Sequence, residues 1–418
     1  MITLLDLSPE LLYKVYDWLR LIEAADTSEA RHWGGSPADS TCAPVSHALQ
    51  PYTQAYRYHT VKLWDPTSLV LFAAAVARDP ELGAAVRSAD VSFQYDEGDV
   101  PVNWNTLVGM WGRLGQVQEL ELRTFQLELE TLTAAVKGGL SFPVLRSMEI
   151  TFIEHGWANP YLLDNWRPLL AAAPKLDKLC ICLALPEMPL DSAPPLPAVP
   201  GPALDSPLSS LEVLGVGAGH ERALAGLIRS FLRLNSLTIE SENAAVQPQI
   251  LGLLAAPELG TLSFSWVSYS DDDSTSPFAT IDVRHLQALE NFTFTSNMCA
   301  PSLEFLLPAS VRTVSIGMFG EVPLAALIKL VTPGTRSFTP TLNHLELDLP
   351  FQAADIYEES TVEIDGVQTT KRIHNVSMEM KWTDEVSPEA LRSLIDATAK
   401  QGVQLTGNCH ETLRAHGG

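Results

Sequence analysis

Cysteine is scarce in this chain: five residues in 418. Cys42, Cys299 and Cys409 stand alone, and Cys180 and Cys182 form one pair two residues apart. No second pair completes a zinc site, and no disulfide framework is legible. Basic residues are also few. The balance of 27 Lys and Arg against 50 Asp and Glu gives a formal net charge of −23. Nucleic acid and anionic membrane surfaces need clustered Lys and Arg, so neither is expected as a partner. The same charge favours solubility and, secondarily, basic partners. Long apolar runs are missing too, none reaching the ~18 residues of a membrane span. Residues Met1 to Lys14 carry no basic start, apolar stretch and small-residue cleavage site, so no secretory leader is expected. Free thiols without a leader place the protein in a reducing compartment, cytoplasm or nucleus.

Catalytic motifs are equally lacking. The chain has no Gly-x-Ser-x-Gly, no His-Glu-x-x-His and no phosphate loop. Gly215-Val-Gly-Ala-Gly219 is glycine-rich but lacks the spacing of a dinucleotide site and reads as a turn. His155, His220, His285 and His344 are scattered, with no pair at helical ligand spacing. Asp271 to Asp273 lacks the Gly and terminal Glu of a calcium loop. These absences predict a protein that is not an enzyme, with no cofactor and no metal.

What is present is a repeat. At 46% hydrophobic content, 418 residues suffice for two to four domains or one elongated array. The pattern apolar-x-x-apolar-x-apolar recurs at Val117–Leu122, Leu145–Ile150, Leu176–Ile181, Leu211–Val216, Leu234–Ile239, Leu259–Phe264, Leu289–Phe294, Val311–Ile316 and Leu342–Leu347. Weaker copies sit at Tyr58–Leu63, Val86–Val91 and Ile373–Met378, twelve in all, their starts 22 to 35 residues apart. The third and fifth positions offer an independent check. Of those 24 residues only Cys180 and Val213 are apolar. Side chains alternate along a strand, so positions four and six share a buried face and positions three and five the opposite, wet one. Each unit is too small to stand alone, and stacking builds a parallel sheet over one core.

Helical spacing marks the segments between strands at Pro66–Arg78, Leu127–Lys137, Arg222–Leu232, Pro323–Val331 and Glu389–Lys400. The last follows Ser387 as a cap and Pro388 at the first helical position. Three insertions interrupt the array. Residues 186–207 hold eight prolines and read as an extended linker. Asp271–Ser276 is an acidic loop. Residues 353–372 read as an inserted hairpin whose tight turn is Asp365-Gly366.

This pattern resembles leucine-rich repeats of the longer strand-plus-helix type, over about residues 58–405, with 406–418 as a tail. The resemblance implies an α/β solenoid, with parallel strands inside and irregular helices outside. One departure is informative. The family often places Asn three residues after the third fixed position, and here only Asn297 fits. The turns must therefore satisfy their backbone groups by other means.

Residues 5–19 predict a helix capped by Ser8, with Pro9 at its first position. Leu11, Val15 and Leu19 share one face, widened by Leu12 and Tyr16. This segment resembles the first helix of an F-box, matching at Leu7, Glu10, Leu11, Leu12, Val15, Tyr16 and Leu19, with the proline displaced by one to Pro9. Val45-Ser46 with Leu49, and Tyr56 to Leu63, resemble the rest of a module spanning residues 1–63. An insertion at 22–43 lengthens a stretch the family keeps short. The resemblance implies an adaptor of an SCF-type cullin–RING ubiquitin ligase. Leu7, Pro9, Leu11, Leu12, Val15 and Leu19 would dock the Skp linker subunit, and the repeats would hold a protein substrate. The alternative is a repeat scaffold for protein–protein interaction without a ubiquitin role, its first helix only capping the array. The wet strand positions are the expected substrate face, represented by Glu119, Glu121, Glu149, Thr238, Ser263, Thr293, His344 and Glu346.

Overall fold

The computed structural model describes residues 58–64, 66–92, 104–124, 126–152, 163–183, 206–216, 221–241, 249–266, 280–296, 303–318, 324–348, 351–364, 367–382, 387–409 and 413. The first-helix residues Leu7, Pro9, Leu11, Leu12, Val15 and Leu19, and nearly all of the proline-rich segment, lie outside them. Chain contacts define two units, with the division after residue 184 and near residue 208.

In the first unit, β1 (Thr60–Leu63) leads into α1 (Pro66–Arg78) and the short α2 (Pro80–Ala85). Then follow β2 (Ser88–Ser92), α3 (Trp104–Trp111), β3 (Glu119–Thr124), α4 (Gln126–Lys137), β4 (Ser147–Phe152), α5 (Leu163–Ala172) and β5 (Lys178–Leu183). The strands pair in chain order and every pair is parallel. Parallel pairing is required by the connections, which are far too long for a hairpin and carry helices. The fixed apolar positions are in register across neighbours, for example Leu120 beside Met148 beside Leu179, all buried.

The second unit repeats the arrangement with irregular connections. β6 (Ser210–Leu214), α6 (Glu221–Arg229), β7 (Ser236–Ser241), α7 (Gln249–Leu253) and β8 (Thr261–Trp266) come first. The next connections carry short strands, β9 (Thr280–Asp282) before β10 (Asn291–Ser296) and β11 (Glu304–Leu306) before β12 (Thr313–Met318). After α8 (Leu324–Val331) come β13 (His344–Asp348), the antiparallel pair β14 (Phe351–Ile364) and β15 (Val367–Trp382), α9 (Pro388–Gln401) and β16 (Gln404–Gly407). Seven strands, β6, β7, β8, β10, β12, β13 and β16, form the parallel ladder of this unit. β9 and β11 pair with each other, parallel. The repeat between Leu289 and Val311 is only 22 residues long, too short for a strand, two turns and a full helix. A three-residue strand covers the core there instead. Phe305 of β11 is fully buried, edge-on to Phe294 at 5.7 Å and to Phe292 at 6.3 Å.

One backbone device recurs at the start of the strands. The carbonyl at position two of a repeat accepts two N–H groups, from positions two and three of the next. Arg87 accepts from Gln118 and Glu119, Gln118 from Arg146 and Ser147, and Arg146 from Asp177 and Lys178. In the second unit Ser209 accepts from Asn235 and Ser236, Asn235 from Gly260 and Thr261, and Arg312 from Asn343 and His344. A turn precedes most of the strands. The N–H at position one bonds the carbonyl three residues back, as in Leu145 to Phe142, Leu176 to Ala173 and Leu289 to Leu286. At the other strand end Ser241, fully buried, donates its hydroxyl to the Val216 carbonyl at 3.0 Å. These bonds give the backbone groups they join the partners that buried N–H and C=O groups require.

Two repeat assignments need correction. The sixth copy does not start at Leu211. Leu211 pairs with Leu237 and Val213 with Ile239, so Leu208 is its first residue and Val213 belongs to the core. Leu208, Leu211 and Val213 are all at most 1% exposed. The apolar Val213 at a supposedly wet position was the sign of this three-residue slip, and Glu212 holds the wet place. The twelfth strand is not Ile373–Met378, which lies inside antiparallel β15. It is Gln404–Gly407, where Leu405 pairs with Leu345 and Gly407 with Leu347. Its first and sixth positions are Gly402 and Gly407, so an apolar pattern cannot find it. The hairpin spans Phe351–Trp382, wider than 353–372.

The helices follow their patterns within a few residues. Pro66–Arg78 matches at both ends, and α9 starts as its cap predicts, with Ser387 Oγ accepting from the Ala390 N–H at 3.3 Å. Gly402 closes α9 in the left-handed conformation at φ 71°.

Candidate functional site

Parallel register turns the wet strand positions into rows. One residue from each repeat stands beside its equivalent on the next strand, about 4.8 Å away. In the first unit one row reads Lys62, Asp90, Glu121, Glu149 and Cys180. The row before it reads Thr60, Ser88, Glu119, Ser147 and Lys178, and the row after it includes Arg123, Thr151 and Cys182. The predicted residues Glu121 and Glu149 are therefore direct neighbours, and Glu119 lies two residues before Glu121 on β3. Arg123 pairs with Glu121 at 3.0 Å, both side chains well exposed. Exposed pairs of this kind contribute little.

In the second unit the row through Thr238, Ser263 and Thr293 also contains Glu212, Ser315, Glu346 and Thr406. Four hydroxyl residues run between two carboxylates. Ser315 donates to Glu346 Oε2 at 2.7 Å. His344 lies one row away with Asn291 and Thr313, and its Nε2 is 2.7 Å from Thr406 Oγ1. All five predicted positions of this unit thus fall on two adjacent rows. Their chemistry is that of a polar face with adaptable hydrogen bonding.

Pattern reading overlooked Trp64 and Asp90, which belong to a weaker copy and its flank. Trp64 follows β1 and is 53% exposed, the largest side chain among the exposed hydrophobics of the described residues. Its indole N–H donates to Asp90 Oδ2 at 2.6 Å. Lys62 Nζ lies 5.0 Å and the Arg123 guanidinium 5.8 Å from the Trp64 ring centroid. Asp90 is only 9% exposed, and its other oxygen, Oδ1, is buried without a hydrogen-bond partner. An acid at the fifth position of Val86–Val91, beside Glu121, was the available signal.

Burial pushes the Asp90 carboxyl above its ordinary value. The Trp64 hydrogen bond opposes that shift, and Glu121 adds to it. The folded protein thus holds this proton more tightly than the unfolded chain. Stability falls as pH rises from the unfolded value near 3.8 through the raised folded one. Asp90→Asn removes the charge and keeps an acceptor for Trp64. The melting temperature of the variant relative to the parent is expected to increase between pH 3.5 and pH 7. A difference that shrinks over that range contradicts the desolvation account.

The described residues contain no group of three or more His, Cys, Asp or Glu able to hold a metal ion. No helix among them is long and apolar enough to cross a membrane. No protein-family model matches this chain, and no curated protein matches it.

Proposed function

We propose that this protein is a non-catalytic substrate-recognition adaptor of an SCF-type ubiquitin ligase, with an F-box at residues 1–63 docking the Skp linker and the repeats binding a protein substrate. The observation that carries the reading is the order of parts. An amphipathic segment with the F-box spacing Leu7, Glu10, Leu11, Leu12, Val15 and Leu19 precedes repeats whose parallel strands present rows of polar side chains. A repeat array of this kind offers an extended surface for a protein partner. The second unit's row of four hydroxyl residues between Glu212 and Glu346 suits a wet contact. Burial of one leucine against the linker is worth roughly 1.5–3 kcal/mol.

The test is co-purification of the full chain with the Skp linker. Leu11→Glu is expected to lower linker affinity more than about tenfold, since 1.4 kcal/mol is a factor of ten, with the melting temperature of the repeats retained. An intact parent protein that fails to bind the linker supports the scaffold reading instead.

A further inference from the structure

The first unit holds a feature that a merely solvated strand face does not require. Asp90 is a carboxylate with one oxygen bonded to Trp64 and the other buried without a donor. A buried acceptor left unmade carries its full desolvation cost. Neither neighbouring cation donates to that oxygen, although both favour the carboxylate's charge through space. Lys62 and Arg123 lie against the Trp64 ring, and Arg123 bonds Glu121. Glu121 and Glu149 continue the row, three carboxylates on three consecutive strands. Like charges directly opposite on neighbouring strands are unfavourable.

We propose that Trp64, Asp90, Glu121 and Glu149 form an anchor site for an arginine-bearing basic segment of a protein partner, with Trp64 as a movable cover over Asp90. This deepens the substrate-binding role proposed for the repeats by naming the chemistry of what binds. A guanidinium brings five donors in a planar fork, enough to bond Asp90 and a neighbouring glutamate together. The same plane stacks on an indole face. An ammonium offers a point charge without that fork, so arginine fits better than lysine. The exposed Arg123–Glu121 pair is weak enough for an incoming arginine to displace. Exposed tryptophan beside groups awaiting desolvation is also the composition of an interface hot spot. The formal charge of −23 steers such a segment toward the protein and repels nucleic acid.

The experiment uses the full chain and a fluorescein-labelled hexa-arginine peptide, read by anisotropy at physiological salt. Asp90→Asn and Glu149→Gln are each expected to weaken binding about thirtyfold, the low end of the range for losing one partner of a desolvated charge pair. Trp64→Ala is expected to weaken it comparably. The control is Asp396→Asn, on the exposed face of α9, which makes the same change in net charge. It is expected to change affinity less than about twofold, as a remote surface charge does. Melting curves establish that each variant is folded, and Glu149→Gln serves if Asp90→Asn is not. Equal losses for Asp396→Asn and Asp90→Asn would reduce the effect to bulk attraction and overturn the proposal. So would wild-type affinity in both Asp90→Asn and Glu149→Gln. The Skp linker takes no part in this assay, so its outcome is separable from that of the ligase reading.

Discussion

Phe294→Ala is expected to destabilise the second unit by about 3–5 kcal/mol, the range for deleting a buried phenylalanine. Phe294 lies in β10 at position six of its repeat and is fully buried. Its ring stacks on Phe264 at 6.2 Å and meets the edge of Phe305 at 5.7 Å. Each aromatic pair adds about 0.5–1.5 kcal/mol beyond area burial. Phe264 belongs to the preceding repeat and Phe305 to the following connection, so one truncation loosens three successive segments. Collapse around the cavity is restricted, because the ladder bonds of β8, β10 and β12 fix the backbone spacing. The measurement is urea unfolding followed by tryptophan fluorescence, since Trp266 is buried at the end of β8. A loss below about 0.5 kcal/mol, the usual size of a surface change, contradicts this packing.

Gly407→Ala is expected to cost more than about 2 kcal/mol, since the left-handed penalty alone is roughly 1–2 kcal/mol and a clash adds to it. Gly407 has φ 91°, and a Cβ there would collide with the carbonyl of Leu347, its partner on β13. Strand β16 must then leave the ladder or β13 must shift. A local readout exists in Cys409, whose thiol is fully buried and points at the Leu347 carbonyl at 3.5 Å. Burial pushes that thiol up to about 12, so it is unreactive in the folded protein. In the variant, labelling of Cys409 by a thiol reagent is expected to accelerate while the first unit keeps its melting transition. Unchanged labelling would show that the glycine is dispensable.

These two positions also show what a sequence discloses and what it hides. Phe294 was legible, because a recurring apolar position at fixed phase has one physical meaning, burial on the alternate face of a strand. Gly407 was not. It holds an exposed ladder position opposite Leu347 through backbone geometry rather than apolar surface, and no hydrophobic pattern marks it. The same reason hid β16 and drew attention to Ile373–Met378, whose alternation belongs to an antiparallel pair. Leu211 was misphased because Leu208, Leu211 and Leu214 repeat at a spacing of three, and two frames fit the same apolar residues. Only the pairing of Leu211 with Leu237 decides between them.

The polar face was legible to the same degree. Glu121 and Glu149 were predicted to be wet, and their adjacency follows from the register. Trp64 and Asp90 escaped notice because an isolated tryptophan and an ordinary aspartate acquire meaning only when folding places one over the other. The outer segments were legible as helices wherever 3.6-residue periodicity had room to develop. Where repeats shorten, as before β12, three residues at period two serve the same purpose, and that is too little sequence to read in advance.

The central claim is that each repeat contributes one strand, parallel and in register, so that equivalent residues form rows. Paired cysteines test it directly. Neighbouring parallel strands bring paired Cα atoms to about 4.8 Å, inside the ~4.4–6.8 Å range that a disulfide spans. Thr293→Cys with Ser315→Cys, register partners on β10 and β12, is therefore expected to cross-link under mild oxidation. Asn291→Cys with Ser315→Cys is displaced by two residues, about 8 Å, and is expected to remain reduced. Cross-linking of the displaced pair in place of the register pair would contradict the parallel rows, and with them the account of how this protein presents a surface.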